Sequence, residues 1–213
     1  NYNTAIARAA LSSNTTGQFN TSVGTNALGA NTTASNNTAV GYNTLVANTT
    51  GAENTAIGAS ALGTNTTGAS NVAVGKNALV VNETGSDGVA VGYLALDANT
   101  TGNYNTGVGQ QALGGNTTAN HNTALGYQAL YANTTGANNI AVGGGALGAN
   151  TTASNNTAVG FQSLVSNTTG TQNDGFGLQT LYTNTTGSYN VAVGTLAGYT
   201  LAGGNRNTLV GNS

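Results

Sequence analysis

The sequence predicts an all-β fold: a parallel β-solenoid, a β-roll or β-helix with one 17-residue coil per repeat. Three observations predict it. Aligned on Asn-Thr-Ala-Val-Gly, the chain repeats every 17 residues from Asn3 to Arg206, with no insertion or deletion. Every unit carries Gly and most carry β-branched residues at fixed places, which disfavours helix. Seventeen residues are also too few for the helix pairs of α-solenoids, whose repeats run to about 33 or more. They suit one coil with two short strands and two turns. Stacked coils bury a continuous core that no single unit could bury alone.

Domain organisation follows the repeat. Residues 1–206 form a repeat solenoid of twelve units starting at Asn3, and 207–213 begin a further unit. The segment ALGANTTASNNTAVG occurs at 27–41 and again at 146–160, seven periods apart, as duplication of whole units would produce. The unit 190–206 loses the pattern, with Gly198 where Leu is usual and Leu201 where Asn is usual. The chain stops at Ser213 inside a unit, and it is expected to be a segment of something longer. With strands about 4.8 Å apart, twelve rungs make a rod roughly 58 Å long.

Each position of the unit has an expected job. Position 4 is always large and apolar, from Ile6 and Val23 to Val210. Position 2 is Thr, Val or Ile except at Asp174, and position 3 is small except at Leu209. Alternation puts positions 2 and 4 on one strand face and position 3 on the other. Position 9 is Leu in eleven successive units, Leu11 to Leu181. The position 4 and position 9 files are expected to be the two walls of a thin core. Gly at position 5 is expected to supply positive φ or close backbone approach. Asn-Thr-Thr-Gly at positions 12–15 reads as a turn with Gly in the left-handed conformation.

Composition narrows the function. The 213 residues include 34 Asn, 37 Thr and 33 Gly, and no Pro, Cys, Met or Trp. Charged residues are 4%, against about a quarter in ordinary domains. Three basic residues (Arg8, Lys76 and Arg206) cannot neutralise a run of phosphates, so no nucleic acid is expected as partner. No apolar run approaches the roughly 20 residues of a transmembrane helix, so no membrane insertion is expected. No cysteine is present for a disulfide framework or a thiolate metal site.

The stretches NVAVGKNA (71–78) and NTAIGASA (54–61) resemble the head repeats of trimeric autotransporter adhesins. The Asn-Thr-Thr-Gly units are similar to repeat arrays in phage and bacterial tail-fibre-like surface proteins. This unit is longer than the adhesin repeat, the extra length falling in Asn-Thr-Thr-Gly. The resemblance implies a left-handed β-roll, with three chains around one axis packed through small residues. Position 3 is compatible with such packing.

No residues converge on catalysis. His121 stands at position 17, in a file that accepts Phe19, Glu53, Asp87, Tyr104 and Arg206, and so reads as a solvated corner. No Asp recurs as a calcium-binding β-roll requires. No metal, cofactor or catalytic residue is expected, and the chain is not expected to be an enzyme. Position 12 supplies N-x-T acceptors at Asn14, Asn31, Asn48, Asn65, Asn82, Asn99, Asn116, Asn133, Asn150, Asn167 and Asn184. The preferred reading of this file is an inward Asn ladder, because glycans spaced by about 4.8 Å would be crowded. Whichever Thr file faces out is open to O-linked sugars. Position 6 carries Tyr42, Tyr93, Tyr127 and Phe161, and position 10 carries Tyr131 and Tyr182, all candidate partner contacts.

The expected function is therefore structural: an extracellular fibre, adhesin or tail-fibre rod at a cell surface or on a virion. The expected partner is the chain itself, as a lateral trimer, end to end, or both, with cell-surface glycans as further candidates. The alternative is a binding module that presents a regular face to carbohydrate, a receptor or, as a weaker option, ice.

Overall fold

The computed structural model describes residues 2–212. It contains thirteen three-residue strands, from β1 (Thr4–Ile6) and β2 (Thr21–Val23) to β13 (Thr208–Val210). They form one parallel sheet in sequence order. Every pairing joins residue i to residue i+17, as when Thr106 of β7 (Thr106–Val108) meets Thr123 of β8 (Thr123–Leu125). The architecture is the expected β-solenoid, each rung adding one strand to a sheet that runs the length of the rod.

Each rung has one strand, not two. The segment opposite the strand, positions 7–11, still bonds from rung to rung: Leu113 N–H donates to Ala129 O at 3.0 Å and Gly115 N–H to Tyr131 O at 2.8 Å. It is not a strand because left-handed residues interrupt it at positions 7 and 9, such as Gln111 (φ 56°) and Leu113 (φ 53°). Leucine rarely accepts this conformation, which costs about 1–2 kcal/mol. Burying a leucine fully returns about 1.5–3 kcal/mol, so burial wins. The turn also lets consecutive residues face inward: Ala112 and Leu113 are both fully buried, which alternation in an extended strand forbids.

The sense of the strand is the reverse of expectation. In the second to the twelfth strand the middle residue, position 3, is buried, while positions 2 and 4 are half-exposed or exposed. The core is a leucine file at position 9 between small residues at positions 3 and 8. The interior is too thin for anything else. A methyl built on Gly107 would already lie 3.3 Å from Leu96 Cγ. Position 3 therefore packs within its own chain and is not available to an interface between chains.

Where one file changes size, its neighbours compensate. Gly175 replaces Ala at position 3, and the freed space is taken by Ser163 and Thr180 of position 8, whose hydroxyls meet at 2.6 Å. A methyl on Gly175 would sit 2.7 Å from each hydroxyl oxygen. In the atypical rung, Gly198 leaves the leucine file empty and Leu209 fills it from position 3 of the next rung. A Cβ on Gly198 would lie 2.7 Å from Leu209 Cδ1. Leu201 replaces the usual Asn and packs against the core edge.

Glycine stands at position 5 in every rung but the first, where Ala7 has φ 95°, and two features favour it. Its φ is far in the positive region, as at Gly109 (133°), and a Cβ there would approach Gly126 O to 2.5 Å. The Gly or Ala of position 15, expected to be left-handed, does not have positive φ. The left-handed corner falls two residues later, at position 17, where His121 has φ 58° and Tyr104 φ 57°.

The compensation at Gly198 and Leu209 yields a prediction. Leu209→Ala should lower stability by about 2 kcal/mol by opening a cavity, and Gly198→Leu alone should destabilise by overpacking. The double variant restores the usual sizes and should recover much of the loss. The coupling, read from denaturant midpoints, is expected to be about 1–3 kcal/mol in favour of the double variant.

Candidate functional surface

Inside the rod, the dominant polar feature is a pair of asparagine ladders. At position 12, ten residues from Asn31 to Asn184 are buried, and Asn14 is half-buried. Each side-chain amide donates to the amide oxygen of the rung before, as Asn116 Nδ2 does to Asn99 Oδ1 (2.8 Å) and Asn133 Nδ2 to Asn116 Oδ1 (3.1 Å). The second ladder, at position 1, joins side chain to backbone: Asn54 N–H donates to Asn37 Oδ1 at 2.9 Å. The ladders meet at the carbonyl of position 15. Gly68 O accepts from Asn65 Nδ2 and from Asn54 Nδ2, both at 2.9 Å. Among the described residues, no buried side-chain nitrogen or oxygen lacks a partner.

Burial bears on the acceptor role of Asn14 to Asn184. An N-linked glycan needs the Nδ2 atom in solvent, and from Asn31 to Asn184 that atom is inside the rod and hydrogen-bonded. The folded chain does not offer these residues to a glycosyltransferase. The two Thr files differ. Thr100 Oγ1 of position 13 donates to Thr117 O at 3.1 Å, part of a rung-to-rung series. Position 14 is exposed in all eleven rungs from Thr16 to Thr186. The sequence missed the position 1 ladder, although its signal was present: Asn occupies position 1 in every unit but that of Gly88.

The proposed partner contacts lie on the outside. Tyr42, Tyr93, Tyr127, Phe161 and Tyr131 are exposed, and Tyr182 is half-buried. The structure does not gather them into one cleft. They form separate files along the rod, and in position 10 the glycines Gly29, Gly63, Gly114 and Gly148 each stand between larger residues. The ring of Tyr131 leans over Gly114, and Val46 and Val165 reach over Gly29 and Gly148 in the same way. Where no glycine intervenes, rings stack: Tyr182 and Tyr199 lie 4.8 Å apart at 8°. At the position 17 corner Tyr104 stacks on His121 at 5.0 Å, Tyr2 on Phe19 at 5.1 Å, and Arg206 lies 5.4 Å over Tyr189. His121 is thus an exposed stacking partner.

Charge plays a small part. No group of three or more His, Asp or Glu among the described residues is placed to hold a metal ion. Asp97 at position 10 is half-buried, and this burial raises its pKa above the ordinary value, opposed in part by a backbone hydrogen bond. Two open depressions lie on the atypical rung and the partial unit after it, around Leu196–Thr200 and around Ala197 and Leu209–Asn212.

No family model matches this chain, and neither curated proteins nor solved structures show a match.

Two predictions test the interior and the charge. Asn116→Ala strands the Oδ1 of Asn99 and weakens the hub at Ala119 O. It should cost about 2–4 kcal/mol, at about 1–3 kcal/mol per unpaired buried group. Thr118→Ala on the exposed file should stay within about 0.5 kcal/mol. Chemical denaturation followed by circular dichroism separates them. For Asp97, the folded pKa lies above the unfolded value. Its contribution is therefore full below the unfolded pKa and is lost as pH rises through the folded one. Asp97→Asn should raise the melting temperature at pH 7 and leave it unchanged near pH 3.

Proposed function

We propose that this chain is a structural rod of an extracellular surface fibre, of the adhesin-head or tail-fibre kind, with other copies of itself as partner. The observation that carries this reading is the pair of Asn ladders beside a leucine file: the position 12 ladder runs without a break from Asn14 to Asn184, and the position 1 ladder is interrupted at Gly88. These fix the rung spacing over the regular rungs. In such an arrangement bending or stretching must break buried hydrogen bonds in several rungs at once. The role is mechanical: length, stiffness and spacing. The repeats of adhesin heads and tail-fibre arrays that the sequence resembles support the same reading. Location at a cell surface or on a virion belongs to it.

A second reading is favoured by one observation. The exposed files of Tyr42, Tyr93, Tyr127 and Phe161, and the Tyr104–His121 stack, present aromatic faces to solvent. Aromatic faces of this kind suit contact with neutral sugars, so the rod would also carry cell-surface glycans.

Electron microscopy of the purified chain tests the first reading. Straight, uniform rods about 58 Å long, or multiples of that length, are expected from the strand spacing. Flexible or globular particles would overturn it. Glycan-array binding that disappears in Tyr104→Ala would support the second.

A further inference from the structure

We infer that the outward face of the sheet, formed by positions 2 and 4 of every strand, packs against the same face of further copies of this chain. The inference rests on the reading of the chain as a self-associating rod and names the surface involved.

The face is apolar and long. Position 4 places Val, Ile, Leu or Phe outward in every strand, and position 2 adds Thr, Val or Ile in all but one. Leu125 is 48% exposed, Val193 41% and Ile57 42%. Asp174 is the only charge among these 26 side chains. All thirteen side chains at position 4 and four at position 2 are apolar, and they follow one another over roughly 58 Å of rod, a contiguous apolar surface of the kind that marks an interaction site.

Three features point to a second copy as the occupant. The face is a lattice of side chains repeated about every 4.8 Å over roughly 58 Å. A partner that interlocks along all of it needs the same rise and straightness, which another copy has. The face is neutral, so it offers nothing to phosphate, to anionic lipid or to a charged peptide. The whole chain has a net charge of only −2, so little repulsion opposes association. Position 2 and position 4 carry no Lys or Arg in any strand. Arg8 and Lys76 stand at position 6, beyond the glycine corner, and Arg206 at position 17.

The test is the mass of the full chain in solution, by light scattering after size exclusion. The wild type is expected at two or more times 20.7 kDa. The triple variant Val74→Lys, Val108→Lys and Val142→Lys places charges on half-exposed, outward positions in alternate rungs. It should be monomeric, with the circular dichroism of the wild type. Thr118→Lys with Thr152→Lys, on the position 14 file, should leave the mass of the wild type unchanged. A wild type that is monomeric at 100 µM would overturn the inference, as would a face variant that keeps the multimer. So would a monomer that shows thermal hysteresis, with ice as the occupant. Because the chain has no cysteine, Val108→Cys gives a second readout. It should cross-link between copies, and Thr118→Cys should not. Straight rods one chain wide in micrographs would sink this interface while leaving the rod reading intact; an absence of rods would sink the rod reading itself.

Discussion

The structure depends on one constraint: every residue stacks on its own counterpart 17 residues away. Strand spacing puts the two about 4.8 Å apart, so whatever a rung places at a position must tolerate a copy of itself above and below. Amides meet this condition well, because Nδ2 donates and Oδ1 accepts in the same direction along the axis. Asn at position 12 does so through ten successive pairs, from Asn31 on Asn14 to Asn184 on Asn167. Charge fails it, since like charges on adjacent strands repel. None of the eight charged residues has another charge at its position in an adjacent rung. A composition dominated by Asn, Thr and Gly is what one rung needs, copied.

The same constraint sets the division between inside and outside. Buried polar atoms are costly unless paired, and a chain this thin cannot hide many unpaired groups. The position 15 carbonyl resolves the problem by serving as acceptor for both ladders. Its neighbours explain why Gly stands there in most rungs: a Cβ on Gly51 would come within 2.6 Å of Asn48 Oδ1, and the rungs of Ala34, Ala119 and Ala153 carry nothing larger than a methyl. Outside, positions 6, 10, 16 and 17 vary freely because water accepts whatever they carry. The strand face is the exception: it points outward, yet position 4 is apolar in every rung.

Much of this was legible in the sequence, and particular residues show why. The unbroken period determined the parallel, in-register sheet, because only i to i+17 pairing gives every rung the same neighbours. The recurrence of Asn14 to Asn184 pointed to an inward ladder, and the mixed contents of the His121 file pointed to a solvated corner. A period of two, by contrast, says only that positions 2 and 4 oppose position 3. It does not say which of them faces the core. The apolarity of Val and Ile argued for position 4, and that argument failed.

Tertiary structure settled that choice through the opposite wall. Left-handed backbone at Leu113 and its equivalents turns Ala and Leu inward together, and the leucines then fill the interior almost to the sheet. Only a small side chain fits at position 3 of the regular rungs, so the larger side chains must point out. Left-handed leucine has no sequence signature, because isolated leucine avoids that conformation and only complete burial makes it favourable. The sequence by itself therefore determined the repeat, the register and the position 12 ladder, all of which follow from local recurrence. Which face of each strand is core, and which points outward, depended on volume shared between distant walls of the rung, which no single position records.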